Sequence, residues 1–555
     1  MNKRHFLIGM ILLSLFPVAF GQNKREPVSS TYDRSSLSVV LIDHPEVPYS
    51  SKLKEGITKI VIPDKYFQNK ISTTSVKAPY VPGFIGAVNN SIAEALNSAN
   101  TGNQIISYWY SRQADGTMSA DRFLERGMYN ASDADVLNAR GTKRGTEALK
   151  DYGDKLISKS YALAIDYTNL KEINDSVSRG WSADVKIYLY KIIFDEAIQA
   201  QLYNDLWIYS DDTPAVKAKK NADFTKMRFN LEYVSQASSS VLETESKKNK
   251  STTTIPKTND ELFAILLQKG LNDCVYNVEK RVEDLKVKTS LYQTNPPSAK
   301  IGKKEGLAVD HRYFVYEYVY DESTNSAKSV RRSVIRAKKV VDNRNVSSGS
   351  SAMSTFYQVA GGHLENGFLL QQSNDAGIGI SLGMESGSIA GFSSRLEVNV
   401  GRYTSIPSLY VFVGVGYEEK LYPEIEKTTL TAQNLNFLRY ELGLAKGFRL
   451  INIFELAPYA GVGFEEAKNT EWKDDAQFNG NLIKSLYVKY GANLALNIRY
   501  NIQLIGGVGS YIFTTAQDGK GDLMFGDVKA KYNDFFPDRG GPDSFSFSAG
   551  LRVQF

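Results

Sequence analysis

Two different periods run along this chain. From about Asp375 to Phe555, apolar and polar residues alternate one for one, the period of a β-strand whose two faces meet different surroundings. Ile378, Ile380, Leu382 and Met384 open the series, followed by Leu396 and Val398 interleaved with Arg395, Glu397 and Asn399. Leu409 to Tyr417 repeats the alternation, and Leu438, Tyr440, Leu442 and Leu444 alternate with Arg439, Glu441 and Gly443. Further strands are predicted around Leu456–Phe464, Leu486–Ile498 and Ile502–Val508. In the last one, Phe545, Phe547, Ala549, Leu551, Val553 and Phe555 share one face, and Ser546, Ser548, Gly550, Arg552 and Gln554 the other.

The count is eight, and the connections alternate in length. Those after the second, fourth and sixth strands are short (Gly401–Ser408, Lys446–Phe454 and Tyr500-Asn501). Those after the third, fifth and seventh are long (Glu418–Asn434, Glu465–Lys484 and Thr514–Asp543). Glu385–Gly387 is short where a long loop is expected. An even number of strands, apolar outside and polar inside, with short turns at one end, is the signature of a membrane β-barrel. The stretch 375–555 thus resembles the small outer-membrane barrels of the OmpA/OmpX type. The ending Gly550-x-x-Val553-x-Phe555 resembles the C-terminal signal read by barrel-assembly machinery, with Ala549 in place of the usual polar residue.

That resemblance implies an outer-membrane location, contact with outer-membrane lipid and assembly by that machinery. An eight-stranded barrel is just wide enough for its own side chains. The inward charges Arg395, Glu397, Arg439, Glu441, Lys489, Arg499 and Arg552 are therefore expected to pair with one another as a plugged lumen.

Before the barrel the period changes. Phe84, Val88, Ile92 and Leu96 recur at helical spacing, Tyr161–Asp166 and Val185–Tyr190 read as strands, and Asp195–Trp207 as a helix. Ile57–Ile62 and Gln104–Tyr110 are also read as strands. The mixture predicts an α/β (α+β) domain over 22–295. Ala237–Thr258, rich in Ser, Thr and Lys, is expected to be a mobile loop. Thr258 and Glu261 then form a capping box, opening a helix with Leu267, Leu271, Val278, Val282 and Leu285 on one face. A small β-rich basic module is expected over 296–346, with 347–374 as the linker. Its Arg331, Arg332, Arg336, Lys338 and Lys339 form a candidate patch for an anionic partner such as a lipid head group or cell-wall polymer.

Lys3 and Arg4, the apolar run Phe6–Phe16 and the small residues around Ala19-Phe20-Gly21 predict a signal peptide over 1–21. Removing Lys3 and Arg4 lowers the net charge from +5 to +3, too little for nucleic-acid binding. Cys274, the one cysteine, fits a buried structural thiol. No catalytic, cofactor or metal signature is found, and His5, His44, His311 and His363 all precede the barrel, so a His-based enzyme at the barrel rim is not expected. The reading is a non-enzymatic outer-membrane barrel of a Gram-negative envelope, with a periplasmic domain that binds or scaffolds envelope partners. The alternatives are an adhesin acting through its long loops, or a secretion or envelope-assembly component with periplasmic chemistry.

Overall fold

The structure, a computed structural model, describes residues 35–45, 48–78, 85–119, 154, 157–209, 211–247, 256–321, 326–345, 352–373, 375–426, 431–451, 453–469, 482–541 and 544–555. The expected signal peptide and the segment Ser347–Ser351 lie outside these residues.

The N-terminal region is α/β, as its mixed periods predict. Its sheet is built on β1 (Ser36–Ile42), with α1 (Ser50–Ile57), α2 (Ile85–Ser98) and α3 (Thr101–Trp109) inserted before β2 (Ser160–Asn174). β3 (Ser178–Ile192) and β4 (Leu231–Ser246) complete it, followed by α4 (Asn259–Glu279). β1 runs parallel to β2 and to the two short strands Phe67–Gln68 and Ser75–Val76. β2, β3 and β4 are antiparallel neighbours. One face of the sheet is covered by α1 and α4 through Leu53, Leu262, Leu266, Leu267 and Leu271. Ile92, Leu96, Ile105, Ile106 and Trp109 of α2 and α3 cover the other. The capping box at Thr258 is formed on both sides, and buried Cys274 donates to the Val185 carbonyl.

Three expectations are corrected here. Gln104–Tyr110 belongs to α3, because Ile105, Ile106 and Trp109 bury together only at helical spacing. Ile57 closes α1, and Ile60 and Ile62 reach the core from irregular chain after a turn rather than from a strand. The expected mobile loop 237–258 begins as a strand. Within β4, Ala237 and Val241 face the core while Ser238 and Leu242 face out, so polar composition here marks the solvated face of an edge strand. Residues 248–255 lie outside the described set.

The β-module is larger than 296–346. Its seven-stranded sheet contains β5 (Arg312–Asp321), β6 (Ser326–Lys339), β7 (Ser354–Gly361) and β8 (Leu369–Gln372), with short strands from 288–299 at both edges. The supposed linker thus supplies two strands, because β5 and β6 need partners on their open edges.

The barrel consists of β9 (Ile378–Gly387), β10 (Gly391–Asn399), β11 (Leu409–Glu424), β12 (Thr431–Lys446), β13 (Phe454–Lys468), β14 (Leu482–Arg499), β15 (Ile502–Phe513) and β16 (Ser546–Gln554). Each pairs antiparallel with the next, and β16 pairs with β9 to close the cylinder, the closed eight-stranded antiparallel barrel that the alternation predicts. At the seam Gly383 faces Gly550; a Cβ on Gly550 would lie 2.3 Å from the Leu382 carbonyl oxygen. Outward Leu382, Met384, Leu396, Val413, Leu442, Val462, Leu486, Leu494 and Phe547 are all exposed, forming the apolar belt of a membrane-spanning barrel. Both ends of the barrel meet at its short-turn end, where the Gly377 amide donates to the Phe555 carbonyl and the Gln554 amide to that of Asn501.

Candidate functional site

A strand with an apolar outer face turns its other residues inward, and here these are charged. Arg395 pairs with Glu441 at 2.8 Å. Lys489 lies 3.0 Å from Glu385 and 3.1 Å from Glu441. Arg552 lies 3.0 Å from Glu397 and 3.4 Å from Glu455, and Arg449 meets Glu455 at 2.5 Å. Arg439 lies among Glu385, Glu418 and Glu465. Arg539 joins Glu418 at 2.8 Å and Glu465 at 2.6 Å. Among the described residues this gives six cations and six carboxylates, all nearly or wholly buried. The lumen is electrically balanced, and the ladder fills it. A cavity of about 40 Å³ remains beside Ser381, Ser393, Asn493 and Ser548, room for little more than water.

Six of the seven charges expected in the lumen are there. Arg499 is not: a β-bulge between Asn497 and Arg499 breaks the alternation, and Arg499 stands exposed at the rim. Glu385, Glu418, Glu455, Glu465, Arg449 and Arg539 belong to the ladder but were not anticipated. Glu385, Glu418 and Glu465 were placed in loops, yet β9, β11 and β13 run on through them. Their strict alternation with outward Met384, Tyr417 and Phe464 was the available signal.

The long-loop end is closed by the connection after β15. Phe513, Tyr532, Phe535 and Phe536 pack with Tyr422 and Phe437 over the mouth. Arg539 is wholly buried beneath them, 3.6 Å from the centre of the Phe437 ring, and the Tyr532 hydroxyl donates to Glu465.

The short-turn end is closed by the β-module, through two carboxylates. Asp310, buried and in the left-handed region at φ 63°, accepts from the Asn399 amide group at 2.9 Å, the Ser408 backbone amide at 2.6 Å and the Tyr357 hydroxyl at 2.7 Å. Gly401 is needed beside it, since a Cβ there would lie 2.7 Å from Asp310 Oδ2. Asp375 takes Arg336 at 2.6 Å, Arg402, and Arg312 at 3.7 Å. Burial raises the pKa of Asp375, but the guanidinium groups of Arg336, Arg402 and Arg312 outweigh it and hold the carboxyl below its usual range. His311 beside it is pushed down to about 3 by burial and by Arg402.

The basic residues of β6 divide. Arg336 is buried in the junction just described, so it belongs to no surface patch. Arg331, Arg332, Lys338 and Lys339 are exposed, with Arg332 paired to Glu317. In the C-terminal strand, Phe555 is exposed on the lipid side and Arg552 buried on the lumen side.

No protein-family profile matches this chain, and no curated protein matches it. Among solved structures it is similar to a major outer membrane protein from Thermus thermophilus, at 16% identity over 32% of this chain and 99% of that one, with a TM-score of 0.22. It is similar to the N-terminal β-barrel domain of Pseudomonas aeruginosa OprF, at 9% identity over 33% and 98%, with a TM-score of 0.21. Ail, the attachment invasion locus protein of Yersinia pestis, is similar at 12% identity over 32% and 96%, with a TM-score of 0.19.

Proposed function

We propose that the chain is a non-enzymatic integral outer-membrane protein. Its barrel anchors, and its N-terminal α/β domain, held in the periplasm, binds or scaffolds envelope partners. One observation carries the reading: among the described residues, a barrel filled by its own ion pairs and covered at the short-turn end by the module shows no path for a solute. Recognition is then left to surfaces outside the lumen, of which the N-terminal domain is the larger. Short turns face the periplasm in barrels of this architecture, which supports a periplasmic position for the module and the α/β domain. The last strand, with Gly550 at the seam and Val553 and Phe555 on the lipid side, is the segment the barrel-assembly machinery would read.

Epitope tags test the topology. A tag in the Asp518–Asp522 segment is expected to stain on intact cells, and one in the exposed Asp175–Val177 turn only after the outer membrane is breached. Staining of the Asp175–Val177 tag on intact cells would overturn the periplasmic assignment.

A further inference from the structure

Two β-bulges act on one spot at the barrel rim. The bulge in β14 turns Arg499 out of the lumen, next to Ile498, the last exposed apolar residue of that strand. The bulge between β5 and β6 sets Arg331, instead of Arg332, opposite Tyr316, on the face that carries Arg312 and Phe314. The Arg331 guanidinium then lies 5.0 Å from the Tyr500 ring and 4.9 Å from that of Phe314. Arg312 lies 5.2 Å and 5.6 Å from the same rings, and Phe314 meets Tyr500 edge to face at 5.3 Å. Bulges commonly re-aim a side chain at a working site; here one lies just before Tyr500 and the other sets Arg331 on the face that meets Tyr500.

The charges at this spot are out of balance. Asp375 is shared by Arg312, Arg336 and Arg402. Arg331 and Arg499 have no carboxylate within ion-pair distance among the described residues, and both are exposed. Tyrosine and arginine side by side at the end of an apolar belt lie at the depth of the lipid head groups. We propose that Arg331, stacked on the Tyr500–Phe314 ring pair, and Arg499, the residue preceding Tyr500, bind the phosphate of an anionic glycerophospholipid in the leaflet at the short-turn end. One site would then tie the module and the barrel to the same lipid. Continuity with the lipid-facing belt favours this occupant over a soluble polymer. The inference rests on the barrel spanning a membrane and is independent of which compartment each end faces.

The test uses the full-length protein in nanodiscs of mixed phosphatidylglycerol and phosphatidylcholine, with native mass spectrometry reading the lipids retained on release. Heat-modifiable migration of every sample checks the barrel separately, so a failure to insert is distinguishable from a failure to bind. Wild type is expected to retain phosphatidylglycerol above its share of the disc. Arg331→Gln and Arg499→Gln should each weaken retention about fivefold, Arg331→Lys should keep most of it, and Lys520→Gln in the opposite loop should keep all. No enrichment on wild type, equal retention by the double glutamine variant, or displacement of the lipid by soluble polyglutamate would overturn the proposal.

Discussion

Arg539 illustrates what a single buried charge demands. It is fully enclosed, and its guanidinium donates to Glu465 through two nitrogens and to Glu418 through a third. Replacing one partner of such a set leaves the others buried without compensation, which costs about 3–5 kcal/mol. Arg539→Met is therefore expected to lower the midpoint of heat-modified migration sharply. Arg539→Met with Glu465→Gln should recover part of the loss, because removing both charges removes the uncompensated one. Equal damage in the single and double variants would show that packing against Phe437 matters more than charge. Nothing local announced Arg539. It lies in a Gly- and Asp-rich connection that reads as a solvated loop, and its partners are 74 and 121 positions away. Arg395, Lys489 and Arg552 were legible because strand alternation alone sends them inward.

At the scale of the element, alternation was sufficient wherever strands ran regularly. It failed at bulges and where composition misled. Arg499 was misplaced because a bulge adds one residue and reverses the faces. The part of β4 from Ala237 onward was read as a loop because its serines line a solvated face, and β7 and β8 were missed because short module strands lack a long alternating run. The regular strands permit a sharp expectation. Leu494 is exposed on the lipid face, and neighbouring Asn493 borders the small polar cavity. Leu494→Arg should cost about 2–4 kcal/mol near the bilayer midplane, and Asn493→Arg should be milder. Likewise Phe555→Asp should reduce assembly more than Gln554→Asp, because Phe555 faces lipid and Gln554 faces the mouth, near Arg336. Denaturant titration in lipid vesicles measures the first pair and membrane levels the second; equal effects within either pair would refute the facing.

For the whole molecule the decisive contact is the junction, since Asp310 and Asp375 make module and barrel one body. Sequence could not show this: both are lone acids in unremarkable segments, and their partners Asn399, Arg402 and Ser408 come from the end of β10 and a turn that reads only as short. The junction should be sensitive to acid, and the sign follows from its two displaced groups. His311 has a folded pKa of about 3 against roughly 6.5 unfolded, so between those values the unfolded chain binds the extra proton. Its contribution is complete above about pH 6.5 and is lost as pH falls toward 3, at up to about 1.4 kcal/mol per pH unit. Asp375, also depressed, adds a second loss, which begins as pH falls below the ordinary carboxylate value of about 3.9. Hydrogen exchange followed on peptides covering Gly306–Val315 and Val398–Leu409, and corrected for the intrinsic pH dependence of exchange, should show protection falling from pH 6.5 to 4.5. The belt strands, remote from His311, should hold their protection between those two values. His311→Gln removes the first proton and should flatten the slope in that window while leaving the loss below pH 4 in place. An unchanged slope in the variant would assign the acid response between pH 6.5 and 4.5 to groups other than His311.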